Sequence, residues 1–242
     1  MVSTTLAWRD QRLKQIRRWQ NARRYASFID EAAIQQVLLE NRRPSRQAIL
    51  DIIEKARDHA RTGELLAPAD VAALAYASDP DLWEAIFETA DWIKKTVYGN
   101  RIVLFAPLYV SSTCVNNCAY CGFRTTNTAV TRRTLTPSEL QEEVRILVNT
   151  GHKRLIMVYG ECPDNDYRYI CETVSAAYGI KEGFGEIRRA NINAPPLLVD
   201  EYRAVQSVGI GTYQVFQETY HRPTYQQRSE ERRVGKECRS RW

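Results

Sequence analysis

The chain of 242 residues is 44% hydrophobic and 26% charged, an ordinary globular composition with room for one large domain or two small ones. Its longest apolar run falls far short of the ~20 residues a membrane span requires, which excludes a membrane partner at the level of sequence. The net charge of +5 does not point to nucleic acid, because it sits at the ends: residues 1–29 hold seven Lys/Arg against one Asp, residues 228–242 hold six against three Glu, and residues 30–227 are left at about −4.

Residues 1–29 read as a basic N-terminal extension. Within "RDQRLKQIRRWQNARR", Leu13, Ile16 and Trp19 share one helical face ringed by arginines, the pattern of a solvated basic helix or of a mis-called start. The alternative for so Arg-rich and acid-poor a segment is an organelle transit peptide. Residues 30–98 read as a helical region. Ser45 caps "RQAILDIIEKARDHA", with Ile49, Ile52, Ile53 and Ala56 on one side; "PADVAALAYA" is a second helix; Asp79 caps a third, with Pro80 at its first position and Gly99 as its stop.

From residue 99 to 227 the pattern alternates. "RIVLFAPLYV" (101–110), "RLIMVYG" (154–160), "IRRANINA" (187–194) and "TYQVFQE" (212–218) read as strands. Between them lie helices at 138–150, with a capping box from Thr136, Pro137 and Glu139, at 166–179 and at 199–209. Such alternation predicts an α/β fold with a parallel sheet, the N-terminal half of a (βα)8 TIM-type barrel truncated after the fourth strand; an open sheet of four or five strands is the alternative. The last fifteen residues, "RSEERRVGKECRSRW" (228–242), resemble the in-frame translation of a sequencing adapter and are expected to be non-native. The natural sequence is then expected to continue beyond Gln227, and the truncated chain to be inactive.

Three of the six cysteines, Cys114, Cys118 and Cys121, crowd into "CVNNCAYC" directly after the first strand. In barrels the carboxyl ends of the strands are where sites are built. A closed zinc site requires four ligands, for which His152 or His221 could supply the last. A cubane iron–sulfur cluster held by three cysteines instead keeps one iron open to a substrate or cofactor. Other polar residues fall at the same strand ends: Glu161 after the second strand, Asn191 and Asn193 along the third, and Gln217, Glu218, Tyr220 and His221 ending the fourth. Cys162 and Cys171 read as free cysteines, and His59 and His152 as surface or packing residues.

The C-x3-C-x2-C spacing in this position resembles the radical S-adenosylmethionine (SAM) superfamily. The resemblance implies a 4Fe-4S cluster on Cys114, Cys118 and Cys121, and SAM chelating the open iron, so that one electron breaks the sulfonium bond to give a 5′-deoxyadenosyl radical. It also places Tyr120 near the adenine. Gly160 and Glu161 look like the end of the glycine–glutamate motif that holds the SAM amino group. Arg188 or Arg189 would pair with the SAM carboxylate according to strand register, and Arg189 is the choice. Asn191, Asn193 and Gln217 are candidates for the SAM ribose and methionyl part, and Glu218 and His221 for catalytic contacts.

More narrowly, "FAPLYVSSTCVNNCAYCGF", "GHKRL", "RRANINA" and "GIGTYQVFQETYHRPTY" resemble the aromatic amino-acid lyase branch, over residues 45 to 227. One member is the tyrosine lyase of iron–iron hydrogenase maturation, towards which "GIGTY", "GHKRL" and "RRANIN" lean; the other is the thiazole-pathway tyrosine lyase, 2-iminoacetate synthase. The resemblance implies cleavage of L-tyrosine to p-cresol and dehydroglycine, then carbon monoxide and cyanide in the maturase. It also implies a flavodoxin- or ferredoxin-type reductant, other hydrogenase maturases as partners, and a second cluster in a C-terminal extension of the full-length protein. An anaerobic cytoplasm, or an organelle of that character, is the expected location. One departure is visible: Thr113 follows Ser112 where the family pattern has Asn. A zinc-stabilised binding module without catalysis is the alternative of another class.

Overall fold

The computed structural model describes residues 2–22, 30–216, 218–219 and 221–228. The chain divides into two compact units, residues 29–103 and residues 104–242 together with 1–28. In the second of these, the N-terminal segment forms α1 (Val2–Ala22).

The unit of residues 29–103 is helical, and each helix boundary has a local cause. Asp30 accepts from the Ala33 N–H to start α2 (Glu31–Glu40), and Ser45 accepts from the Ala48 N–H to start α3 (Arg46–Thr62), which stops at left-handed Gly63. Then come α4 (Pro68–Ala75) and α5 (Pro80–Tyr98). Asp79 stands at the N-cap position of α5, but its carboxylate makes no cap hydrogen bond and lies 3.5 Å from the Arg46 guanidinium instead. Ile49 and Ile53 of α3, Ala73 of α4 and Leu82 of α5 make the core of this unit.

The other unit is built on a four-stranded parallel sheet. Its elements are β1 (Ala106–Ser111), α6 (Pro137–Asn149), β2 (Arg154–Tyr159), α7 (Tyr167–Gly179), a small hairpin of β3 (Lys181–Glu182) and β4 (Gly185–Glu186), β5 (Arg189–Asn193), α8 (Val199–Ser207), β6 (Tyr213–Gln214) and α9 (Arg222–Arg228). The strand order is β1-β2-β5-β6. Register places Ala106 beside Leu155, Leu155 beside Ala190, and Ile192 beside Tyr213.

Alternation sorts the side chains. Leu108, Val110, Leu155, Met157, Ala190 and Ile192 lie in one apolar core with Leu140, Val144 and Val148 of α6, Ile170 and Val174 of α7, and Val205 of α8. Tyr109, Ile156, Val158, Asn191 and Asn193 alternate with them and belong to the opposite face, where Tyr109 is exposed. The capping box of α6 forms as its sequence predicts: the Thr136 hydroxyl accepts from the Glu139 N–H at 3.3 Å, and Glu139 accepts from the Thr136 N–H at 2.7 Å.

The strands differ from expectation in three respects. The first strand begins at Ala106, not at 101: its ladder with β2 starts at the Ala106–Leu155 pair, and Ile102, Val103, Leu104 and Phe105 are exposed. The fourth is cut from 212–218 to Tyr213–Gln214, the two residues that β5 reaches in register. The β3–β4 hairpin was not expected; Gly183 turns it at φ 56°. The outer edge of β1 is also partly covered. The chain returns alongside it, with Ser112 N–H donating to Arg133 O and Leu135 N–H to Val110 O, both at 2.9 Å.

Candidate active site

The loop that leaves β1 is closed at its base. A bulge between Tyr109 and Ser111 buries Ser111, whose hydroxyl lies 2.7 Å from the Thr134 hydroxyl on the returning segment. Thr113, where the family pattern has Asn, reaches the same Thr134 hydroxyl at 3.1 Å. Residues 114–132 therefore hang from a hydrogen-bonded neck, and the cysteines lie on this loop.

The end of β2 is packed against the start of that loop. A Cβ added at Gly160 would overlap the carbonyl oxygen of Thr113 and meet Cys114 Cβ at 3.2 Å, so only glycine lets the two backbones approach. Gly160 N–H donates to Ser111 O at 2.8 Å and Val115 N–H to Glu161 O at 2.7 Å. Glu161 is no solvated loop acid: it is 5% exposed, and the Asn116 side-chain amide donates to its Oε2 at 2.5 Å. Asn165 completes the junction. Its Nδ2 lies 2.9 Å from Ser111 Oγ, 3.3 Å from Thr113 O and 2.6 Å from Gly160 O.

Cys114 and Cys121 are partly exposed and Cys118 is buried; none of the three is in a disulfide. Burial pushes the Cys114 thiol up to about 12, against the pull of backbone N–H groups of Asn116 and Glu161. A metal at this position must displace the thiol proton. The Phe123 N–H points at Cys121 Sγ at 3.4 Å. Among the described residues, no three His, Cys, Asp or Glu side chains are drawn together as they would be around a bound metal. The donor set still fits an iron–sulfur cluster: three soft thiols on one loop, with backbone N–H groups directed at two of the sulfurs.

The sequence-selected residues separate into two groups. Cys114, Gly160 and Glu161 meet at the β1–β2 junction, and Cys118 and Cys121 share the turn closed by Cys121 N–H on Cys118 O at 3.1 Å. Tyr120 in that turn is exposed. Asn193 sits at the carboxyl end of β5 opposite Val158, and Asn191 two residues earlier opposite Ile156. Arg189 does not come to the rim. It pairs in register with Arg154, the first residue of β2, so it lies about 20 Å from Glu161 at ~3.3 Å per residue. There its guanidinium fills the space over Gly211, donating to Gly211 O at 3.2 Å and to Asn191 Oδ1 at 3.3 Å. Glu218 and His221 are exposed; His221 Nδ1 lies 2.8 Å from the Thr224 hydroxyl at the start of α9. Gln217 and Tyr220 lie outside the described residues.

Asn116, Asn165 and Ser111 escaped the sequence reading. Asn165 stands in "CPDND", just before the Asp166 cap of α7, and nothing in that polar string shows which amide turns inward. A cleft of about 400 Å³ opens beside the junction, lined among others by Trp8 and Arg12 of α1, by Glu161, Asn165 and Arg168, and by Leu197 after β5. Arg12 makes a two-pronged ion pair across it with Glu201, at 2.8 and 2.6 Å.

The family model described as the Radical SAM superfamily matches residues 108–239, more than half of the chain. The chain belongs to the radical SAM superfamily. A crystal structure of HydG, described as a maturase of the [FeFe]-hydrogenase, matches with a TM-score of 0.79 and 43% identity, covering 84% of this chain and 44% of that one. The HydG structure from Carboxydothermus hydrogenoformans matches with a TM-score of 0.72 and 29% identity, covering 96% and 49%. The 2-iminoacetate synthase of Salmonella typhimurium is 31% identical over 162 residues, 65% of this chain and 40% of that protein. The α/β radical SAM fold is thus present, over less than half the length of these relatives.

Proposed function

We propose that this radical SAM chain works as part of a carbon–carbon lyase that cleaves the Cα–Cβ bond of L-tyrosine to p-cresol and dehydroglycine, of the hydrogenase-maturase type. The observation that carries the reading is the β1–β2 junction: a three-cysteine loop hydrogen-bonded to Gly160–Glu161, in a chain 43% identical to a HydG structure over 84% of its length. Cys114, Cys118 and Cys121 would hold three irons of a 4Fe-4S cluster, and Glu161, oriented by Asn116, would accept from the SAM amino group. When bound and reduced by a flavodoxin- or ferredoxin-type donor, the cluster and SAM supply a carbon-centred radical able to take a hydrogen atom from the substrate.

The chain's own residues do the positioning. Ser111, Thr113 and Thr134 fix the neck of the loop, and Gly160 allows the loop and the carboxylate to approach. Asn193, and Tyr120 in the cysteine turn, are the nearest candidates for the rest of SAM, while Arg189 is not, given its place at the amino end of β5. The location at an anaerobic rim of metabolism, cytoplasmic or organellar, and the other hydrogenase maturases as partners belong to the same proposal.

A second reading has its own support, the 31% identity to a 2-iminoacetate synthase. Both readings share the first reaction, so p-cresol formation from tyrosine, SAM and a reductant tests them together. Carbon monoxide and cyanide among the products favour the maturase; dehydroglycine as the end product favours the synthase. A reconstituted protein that is colourless and holds one zinc overturns both.

A further inference from the structure

We propose that the outer side of the cysteine loop, around Arg124 and Arg132, is the docking surface for an acidic one-electron carrier protein, a role that rests on the iron–sulfur reading of Cys114, Cys118 and Cys121. From Cys114 to Ser138 the sequence holds three arginines and no Asp, Glu or Lys, although residues 30–227 as a whole carry about −4. Arg133 pairs with Glu139 at 2.5 Å. The charges of the other two are not neutralised. Arg124 reaches back to donate to Cys121 O at 3.1 Å, and Arg132 donates to Arg124 O. A carbonyl takes up an N–H but no charge, and a guanidinium has five N–H groups to share. Among the described residues neither Arg124 nor Arg132 pairs with a carboxylate.

The loop sets these charges beside a cysteine. Arg124 N–H donates to Cys121 O at 3.2 Å, Asn127 N–H to Arg124 O at 3.0 Å and Asn127 Nδ2 to Gly122 O at 2.9 Å, so the loop folds on itself and Arg132 comes back to Arg124. Cys121 is partly exposed on that turn, whereas Cys118 is buried. Electron transfer between proteins weakens steeply with distance, so a carrier has to approach a ligand sulfur, and the turn at Cys121 offers one from outside the Glu161 junction. Two unneutralised cations steer an acidic partner to that point and orient it. Val130, exposed on the same loop, adds an apolar contact of the kind found within such interfaces. In the transfer itself, the anionic flavin hydroquinone of a flavodoxin becomes the neutral semiquinone and the cluster gains the electron; no proton moves and no bond is made or broken.

The test separates docking from the cluster. Affinity for an oxidised flavodoxin of net negative charge is measured by isothermal titration calorimetry on the anaerobically reconstituted chain at low ionic strength. Cluster reduction is followed as bleaching of its visible absorbance with two donors, reduced flavodoxin and reduced methyl viologen, a small cation that needs no basic surface. The double variant Arg124→Gln with Arg132→Gln keeps N–H donors for the loop carbonyls and carries no charge. It should bind flavodoxin roughly tenfold more weakly, the sum of two exposed charge pairs, and be reduced more slowly by flavodoxin but not by methyl viologen. Lysine at both positions should keep the parent's affinity, and added salt should bring the parent down to the glutamine variant. Arg203→Gln, which removes the same charge from an ion pair with Asp200 on α8, should change neither reading. Should the double variant take up no iron, Arg132→Gln alone, whose side chain bonds no cysteine, should show a loss of about threefold. Unchanged affinity in the glutamine variants, an equal loss in Arg203→Gln, or equal slowing with both donors overturns the docking surface and leaves the cluster reading standing. A parent chain that takes up no iron overturns both.

Discussion

The carboxyl ends of β1 and β2 and the carboxyl end of β6 belong to the same side of one parallel sheet, yet they are built in opposite ways. At the first, Ser111, Asn116, Glu161 and Asn165 are buried, and side-chain and backbone hydrogen bonds join the cysteine loop to the end of β2. At the second, the strand is two residues long, and Glu218 and His221 are exposed, with His221 bonding to its sequence neighbours Thr219 and Thr224. The difference follows from partners. β1 lies between β2 and the returning segment at residues 133–135, whereas β6, at the other edge of the sheet, pairs among the described residues with β5 alone. Polar residues at a strand end become an ordered site when a second segment takes up their hydrogen bonds.

The largest effect should come from the sulfurs themselves. Cys114→Ala, Cys118→Ala and Cys121→Ala should each abolish retention of about four irons after anaerobic reconstitution, read by iron and sulfide analysis. Cys162→Ala and Cys171→Ala should retain iron, as should Glu218→Ala and His221→Ala at the open end. Iron lost equally from all of these variants would erase the contrast between the two ends. Gly160→Ala comes next. Its methyl group must displace the Thr113 backbone, which has no flexible tip to swing aside, so a loss of about 2–3 kcal/mol in urea denaturation is expected. An alanine tolerated there would mean that the two backbones are not in contact. Ser111→Ala should cost less, about 1–2 kcal/mol, because Asn165 Nδ2 and the Thr134 hydroxyl each keep another partner.

Much of this was legible in the sequence where the cause is local. The cap of α3, the box at Thr136 and Glu139, and the alternation that sorts Leu155 and Met157 from Ile156 all depend on residues a few positions apart. The cysteine spacing and the place of Glu161 after β2 were legible for the same reason. What escaped depends on pairing between distant segments. Residues 102–105 are apolar enough for a strand, but the ladder with β2 starts at Ala106. Arg189 could be assigned to a face only when β5 was set against β2. Asn165 bonds residues 52 and 54 positions away, and its neighbourhood reads as an ordinary polar turn. The basic N-terminal segment reads as solvated, yet Arg12 is committed to Glu201, 189 residues away.

The smallest effect sharpens the comparison from outside the site, at the box that starts α6 just after the neck of the cysteine loop. The Thr136 N–H, the Arg133 guanidinium and the Thr136 hydroxyl together hold the Glu139 carboxyl at about 2, below its ordinary 4.5. A depressed folded-state value means that the carboxylate contributes stability above about 4.5, and that this is lost as pH falls towards about 2. The side chain is 38% exposed, so solvent screens the effect and it should be slight. Glu139→Gln keeps an acceptor for the Thr136 N–H but cannot titrate. Its urea midpoint should be lower than the parent's at pH 6, and the two should converge on titration from pH 5 to pH 2.5. Parallel curves across that range would show that the ionised carboxylate adds nothing beyond the neutral cap, and that the neck of the loop owes nothing to the charge on its returning side.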